Sequence, residues 1–301
     1  MPLNSQLHVD ALLSNVSVKY SNADLIAMKV FPEVQVKKSS DLFRVYERNF
    51  RIPETKRANK GLAREHSFNV SSSTYVLENH ALKDYVSDDD QDNYDLADLR
   101  ADTTEELTDV ILRRMEKSVA DLFTSSNWSL NASLASGARF SDNTVTSNPI
   151  PIFDTATSVV IANSGQTPNF GIIPRDVFVA MKNHTSVVDR VKYTSKDMTP
   201  DILAGLLGLP ELLIANGQYD TSDLGRTSTM SNFWGSVAFV GYKPSRPGPK
   251  QPSSGYIFRK NVPMVKRWRD DEREAEAIEV CMKYQARIVA SLSGYLITSA
   301  I

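Results

Sequence analysis

Between residues 95 and 125 the sequence spells one long amphipathic helix, and the rest of the chain has to be arranged around it. Leu107, Ile111, Met115, Val119 and Leu122 recur at three-to-four spacing, which places them in a single stripe on one face. At 1.5 Å per residue, a helix over that span is roughly 45 Å long, well above the usual globular length. Acidic residues gather at its start while Arg113, Arg114 and Lys117 come late, and both placements suit the helix dipole. A helix of this length acts as a girder.

The text before the helix is thinner. Residues 1–36 are mostly polar, with one helical patch at 22–30 stopped by Phe31-Pro32. Such a segment buries little against itself, so Leu12, Leu13, Leu25, Ile26 and Phe31 are expected to find their partners on another chain, as an arm. Residues 34–76 place two strand-like pieces, 42–46 and 67–70, on either side of a charged middle containing Pro53, Lys56, Arg57, Lys60 and Gly61. That pattern predicts an extended hairpin, which needs something to lie on because an isolated hairpin is only marginally stable in water.

After the helix, 124–151 is rich in Ser, Asn and Gly and holds Gly137, Asn148-Pro149 and Pro151, so it is a loop and the best candidate boundary. Helices follow at 154–162, 174–183 and 199–207, with strands at 171–173, 212–215 and 237–242, which together predict a compact mixed α and β domain. A second hinge, 244–255, holds four prolines and two glycines. Beyond it, strands at 262–268 and 279–289 flank a charged turn at 269–276, and an apolar strand at 294–301 closes the chain. The text shows no internal repeat.

Several function classes are excluded or lose ground. A chain of 301 residues with 41% hydrophobic content can bury a real core in about two domains. Its 34 Lys and Arg against 36 Asp and Glu give a net charge of -2, which lacks the basic footprint of a sequence-specific nucleic-acid reader. The lone Cys281, in an alternating strand, allows no internal disulfide or cysteine zinc cluster and reads as a structural thiol. Residues 1–13 carry no base before an apolar stretch, and the apolar run at 203–215 is broken by Gly205, Gly208, Pro210 and Glu211. Cytosolic synthesis and no membrane partner are therefore expected.

Candidate chemistry is sparse. Asp88, Asp90 and Asp92 have the alternate spacing that opens an EF-hand loop, but Asn93 stands where glycine must turn the loop and Leu99 where a bidentate glutamate is needed, so no metal site is expected. His8, His66, His80 and His184 are scattered singly, as ordinary surface or turn histidines. Nucleotide-binding glycine motifs and the G-x-S-x-G elbow are absent, which lowers the prior for an enzyme. No catalytic residue and no cofactor is assigned.

The sharpest feature is a charge asymmetry. Between residues 37 and 65, nine bases (Lys37, Lys38, Arg44, Arg48, Arg51, Lys56, Arg57, Lys60 and Arg64) face four acids, net +5. Between 84 and 109, eleven acids face Arg100 alone, net -10, with Asp88, Asp89, Asp90, Asp92, Asp95, Asp98 and Asp102 forming an acidic shelf at the foot of the helix. Either both runs are simply solvated, or hairpin docks on shelf between identical subunits, a heterologous contact that closes into rings or larger assemblies.

The order of parts, together with several short stretches, resembles the HK97-fold major capsid proteins of tailed phages. Those stretches are Phe31-Pro32-Glu33-Val34, Tyr85-Val86-Ser87-Asp88-Asp89-Asp90, Asn183-His184 followed by Val188-Asp189-Arg190-Val191-Lys192-Tyr193, Arg267-Trp268-Arg269-Asp270-Asp271-Glu272-Arg273-Glu274, and Gly294-Tyr295-Leu296-Ile297. The resemblance implies an α+β HK97-like capsid fold: N-arm at 1–36, extended E-loop hairpin at 37–82, and P-domain at 83–150 with its spine helix at about 95–125. A mixed α/β A-domain would follow at 151–250, then return strands of the P-domain at 251–290 and a C-terminal strand on the A-domain at 291–301.

It further implies a non-enzymatic shell subunit that assembles with itself into hexamers and pentamers of an icosahedral virion capsid, built in the host cytoplasm. The implied partners are a separate scaffolding protein, since no long helical extension precedes the arm, a portal, a decoration or cement protein, and packaged DNA through weak non-specific contact. The founding member's lysine–asparagine cross-link has no residue-by-residue match here, so no cross-linked ladder is expected on an SDS gel of mature particles. The rival readings are an encapsulin-like nanocompartment shell of the same fold and a soluble α/β enzyme.

Overall fold

The computed structural model of the chain describes residues 8–9, 24–46, 52, 54–57, 59, 61–62, 65, 70–93, 98–192, 198–223, 225–248 and 251–301. In chain order the first third holds β1 (His8–Val9), α1 (Ala27–Val30), β2 (Glu33–Gln35), β3 (Ser40–Tyr46), β4 (Val70–Val76), β5 (Glu78–Ser87), α2 (Asp88–Asn93) and α3 (Leu99–Ala120). The middle holds β6 (Asn131–Ser133), α4 (Pro149–Ser164), β7 (Phe170–Pro174), α5 (Arg175–Asn183), α6 (Thr185–Val191), α7 (Pro200–Leu206), β8 (Leu212–Ala215), β9 (Gln218–Asp220), β10 (Met230–Asn232) and β11 (Ala238–Gly241). Two long strands, β12 (Gly255–Asp270) and β13 (Ala275–Ile288), and the short β14 (Gly294–Thr298) complete it.

One sheet runs β1-β12-β13-β5, with β2 parallel to β12 near its start. The girder lies on it: Ile111, Met115 and Val119 of α3 share a buried core with Val265, Val280, Met282 and Tyr284. The helix is shorter than its text, 22 residues or about 33 Å. Asp98 ends it on one side, accepting a hydrogen bond from the Arg100 amide at 3.1 Å as an N-cap. At the other end Leu122 and Phe123 donate to the Val119 and Ala120 carbonyls in a tight turn that folds Phe123 back into the core. Buried Thr103, Thr104 and Thr108 widen the stripe, each donating its hydroxyl to the carbonyl four residues earlier, at 2.8, 2.8 and 2.6 Å.

In the second sheet, β6-β14-β11-β7-β8, the central strands β11 and β7 are buried on both faces, as strands covered on both sides must be. Its period of two divides the strands between two cores. Phe239, Leu296, Ile172 and Leu213 face the girder's core, while Ala238, Val240, Ile297 and Ile173 face a second core built with α4, α5 and α7. The sheet is thus the wall between two apolar volumes. At its centre Phe239 meets Phe123 edge-on at 4.9 Å and Trp128 at 4.5 Å.

Most expected elements are present with moved ends. The helix at 154–162 grows to 149–164, because Asn148 caps it and Gly165, with φ of 62°, supplies the left-handed stop. The long strands run to within four residues of each other, so the charged turn contracts to 271–274. Ser40↔Val76 through Tyr46↔Val70 sets the hairpin register with a second strand at 70–76, and residues 67–69 of the strand expected at 67–70 lie outside the described residues. The loop expected as a boundary, 124–151, is no solvent-exposed linker: Trp128 and Phe140 are buried in the two cores, and β6 joins the second sheet. The strand β5 and the helix α6 were not expected at all.

Candidate subunit-contact surfaces

The hairpin rests on the first sheet. Phe43 and Tyr75 project from β3 and β4 onto Phe258 of β12, at 5.2 Å and, stacked, at 4.7 Å, with Val34 and Tyr256 completing a small separate core. That is the support the hairpin requires. Beyond it the described tip residues are bare: Ile52 is 95% exposed and Leu62 97%. Lys56 and Arg57 are exposed beside them, with the Arg57 Nε donating to the Gly61 carbonyl. Lys37 is exposed at the base, and Lys38 pairs with Asp41 at 3.2 Å. Arg44 lies on β3; Arg48, Arg51, Lys60 and Arg64 lie outside the described residues.

Ten residues of β5, about 33 Å of extended chain, separate this hairpin from the acidic helix. Asp89, Asp90 and Asp92 of α2 are exposed. Asp88 is spoken for, since Arg269 donates to both its oxygens at 2.5 and 2.7 Å, and this bidentate hydrogen bond holds its carboxyl below the ordinary carboxylate range. Asp98 is occupied as the cap of α3, Asp102 is exposed in its first turn, and Asp95 lies outside the described residues. Of the seven acids of the shelf, Asp88 and Asp98 are thus engaged within the subunit.

The arm expectation needs correction for three of its five residues. Ile26 and Phe31 are fully buried and Leu25 partly so, all against this chain's own girder and second sheet, with Phe31 5.6 Å from Phe123. Ile26 and Phe31 therefore leave no side-chain surface for a neighbour, while Leu25 keeps part of its own. The physical reason is Glu116, an acid on the buried face of α3. Its Oε2 accepts from the Ile26 and Ala27 amides at 3.0 and 2.7 Å, and its Oε1 from Trp234 Nε1 at 2.6 Å. One carboxylate thereby ties α1, the girder and the turn after β10 together. Burial pushes it above its ordinary value, against the pull of the three donors. Leu12 and Leu13 lie outside the described residues.

His184, expected as a surface or turn histidine, sits at the α5–α6 turn but is buried. Its Nδ1 accepts from the Ser186 amide at 3.2 Å, which leaves the proton on Nε2 to be donated to Ser147 Oγ at 2.9 Å. Ser147 in turn donates to the Thr144 carbonyl, so the pair is a structural cap with no activated nucleophile. Burial lowers the imidazole pKa below 6.5, so between that folded value and 6.5 the unfolded chain binds the extra proton. Stability is complete above 6.5 and is lost as pH falls through the folded value. His184→Asn keeps an N-cap acceptor and removes the titration. Urea midpoints at about pH 7.5 and about pH 5.5 should fall less for this variant than for wild type, the difference being at most about 1.4 kcal/mol per pH unit.

Cys281 is buried, with its Sγ 3.4 Å from the Met264 carbonyl, and burial raises its pKa. Among the described residues no three His, Cys, Asp or Glu side chains are grouped to hold a metal ion, and no helix is long and apolar enough to cross a membrane.

No family model matches the chain. It is 25% identical over 304 residues to the major capsid protein of Burkholderia phage BcepMu, covering 96% of both chains. It is 27% identical over 250 residues to the major capsid protein of Pseudomonas phage JBD67, covering 80% of this chain and 79% of that one. Its fold matches the crystal structure of a phage-related protein of Bordetella bronchiseptica with a TM-score of 0.79 at 23% identity, covering 97% of each chain. It also matches the capsid structure of cyanophage P-SCSP1u with a TM-score of 0.61 at 9% identity, covering 92% and 89%.

Proposed function

We infer that this chain is a major capsid protein of a tailed phage, a structural subunit with the α+β HK97-like capsid fold that forms the icosahedral shell of the virion. The observation that carries the inference is the match to a major capsid protein over 96% of both chains, made by a fold in which a girder, a projecting hairpin and a walled double core occur in the order of capsid parts. An encapsulin-like compartment shares the fold but not the curated relatives, both of which are phage capsid proteins. Purified protein examined by negative-stain microscopy should show closed shells. A preparation that remains monomeric under all assembly conditions, scaffold included, would sink this reading.

Within the shell, the hairpin is proposed to lap a neighbouring subunit. Hairpin and acidic helix attach at opposite ends of β5, which favours a meeting of the two complementary charges between copies. Support comes from Ile52 and Leu62, large apolar side chains standing in water beside Lys56 and Arg57. The docking partner on the other copy is the surface of Asp89, Asp90, Asp92 and Asp102, with hexamers and pentamers as the closed products. Neutralising Lys56→Gln and Arg57→Gln together should lower shell yield at low salt and flatten its salt dependence. Assembly that keeps its full salt dependence in this variant argues that the charges are only solvated. A separate scaffolding protein, a portal, a decoration protein, weak contact with packaged DNA and assembly in the host cytoplasm belong to the same proposal.

A further inference from the structure

The outward face of α3 is segregated by charge so that it complements itself. Asp102, Glu105 and Glu106 occupy exposed positions in its first half, and Arg113 and Arg114 in its second, while Val110 between them is 44% exposed. The helix dipole accounts for acid first and base last. The i→i+4 pair of Arg113 with Asp109, at 2.5 Å, accounts for part of the basic half. Neither accounts for a bare valine at the midpoint of the face. Glu106 and Arg114 stand four residues on either side of it, about 6 Å along the axis each way.

We propose that α3 pairs antiparallel with α3 of a second copy across a two-fold axis through Val110. The operation lays Glu106 against the partner's Arg114 and Arg114 against the partner's Glu106, and buries the two Val110 side chains against each other. A parallel pairing would set acid on acid and base on base. The antiparallel one also opposes the two helix dipoles. The contact is isologous and so makes pairs, whereas the hairpin contact is heterologous and makes rings, and pairing joins one ring to the next. This inference rests on the shell-forming reading.

The test uses Val110→Cys in the full-length chain. Cys281, the chain's one cysteine, is buried and does not compete. Assembled shells, oxidised and run on a non-reducing gel, should give a disulfide-linked dimer, because a residue on a two-fold axis meets its own copy. Val145→Cys, 94% exposed in a loop, is the control and should stay monomeric. The second arm is Glu106→Lys, Arg114→Glu and the two combined. Each single change sets two like-charged contacts across the axis and should lower shell yield about tenfold at low salt, while the combination restores the yield with the signs exchanged. Wild-type shells with a monomeric Val110→Cys chain overturn the pairing and leave the shell reading intact, as does a double variant that assembles no better than the singles. If Val110→Cys forms no shells, the charge exchange decides. Failure of the wild type itself to form shells sinks the shell reading instead.

Discussion

Glu116→Ala should destabilise the unassembled subunit by about 4 kcal/mol, because three buried donors lose their acceptor. The substitution leaves the amides of Ile26 and Ala27 and the indole N–H of Trp234 buried without an acceptor, and each orphaned donor costs about 1–3 kcal/mol. The conservative variant is informative because the carboxylate accepts on both oxygens. Glu116→Gln can satisfy the two amides at Oε2 only by turning its own NH2 toward Trp234, donor against donor, so about half of the loss should remain. Urea unfolding followed by tryptophan fluorescence measures both, since Trp234 is itself a reporter. Because the folded carboxyl titrates above 4.5, the wild-type contribution is fullest below that value and declines as pH rises through the folded pKa, a slope the glutamine variant lacks. A change of less than about 0.5 kcal/mol for the alanine variant, the range of surface substitutions, would mean that α1 is not held by this carboxylate.

Phe31→Ala should cost about 3–5 kcal/mol in the same assay, the range for a fully buried phenylalanine. This ring touches Phe123 on one side and closes over Gly255 on the other, where even a Cβ would collide with it. The comparison that gives the result its meaning is Ile52→Ala with Leu62→Ala. Those side chains are already in water, so the subunit should keep its stability to within about 0.5 kcal/mol while shell assembly suffers. If Phe31→Ala left the isolated subunit unchanged and impaired only assembly, the segment at 24–31 would belong to the neighbour after all.

What could be read from the text follows from periodicity. The stripe of Ile111, Met115 and Val119 is local information, and so is the opening of α7 at Thr199-Pro200, whereas the prolines that open α4 read as loop. The hairpin was legible for the same reason, and so was its need for a support. β5 was not. Glu78-Asn79-His80-Ala81-Leu82-Lys83-Asp84 has neither alternation nor strand propensity, and it is a strand because ten consecutive residues pair with β13. α6 was missed because its seven residues carry one buried side chain, Val187, and its cap is a histidine rather than Ser, Asp or Asn.

The contact residues divide along the same line. Charge is additive along a sequence, so the +5 hairpin and the -10 stretch are there to be counted. Which of those acids remain available is not, because Arg269 reaches Asp88 from 181 residues away. Glu116 lay in the text as one more acid of a helix, and Val110 as one more apolar residue. The sequence by itself determined the elements whose cause is local: the girder, the hairpin, the apolar strands of the double-faced sheet, and the sign and position of the charges. Only the tertiary structure decided that the segment at 24–31 packs on its own subunit, that Trp128 and Phe140 of the loop at 124–151 enter the two cores, and that Val110 stands exposed on the girder between acid and base. Those facts depend on which distant groups share a desolvated volume, and burial is a property of the packed whole.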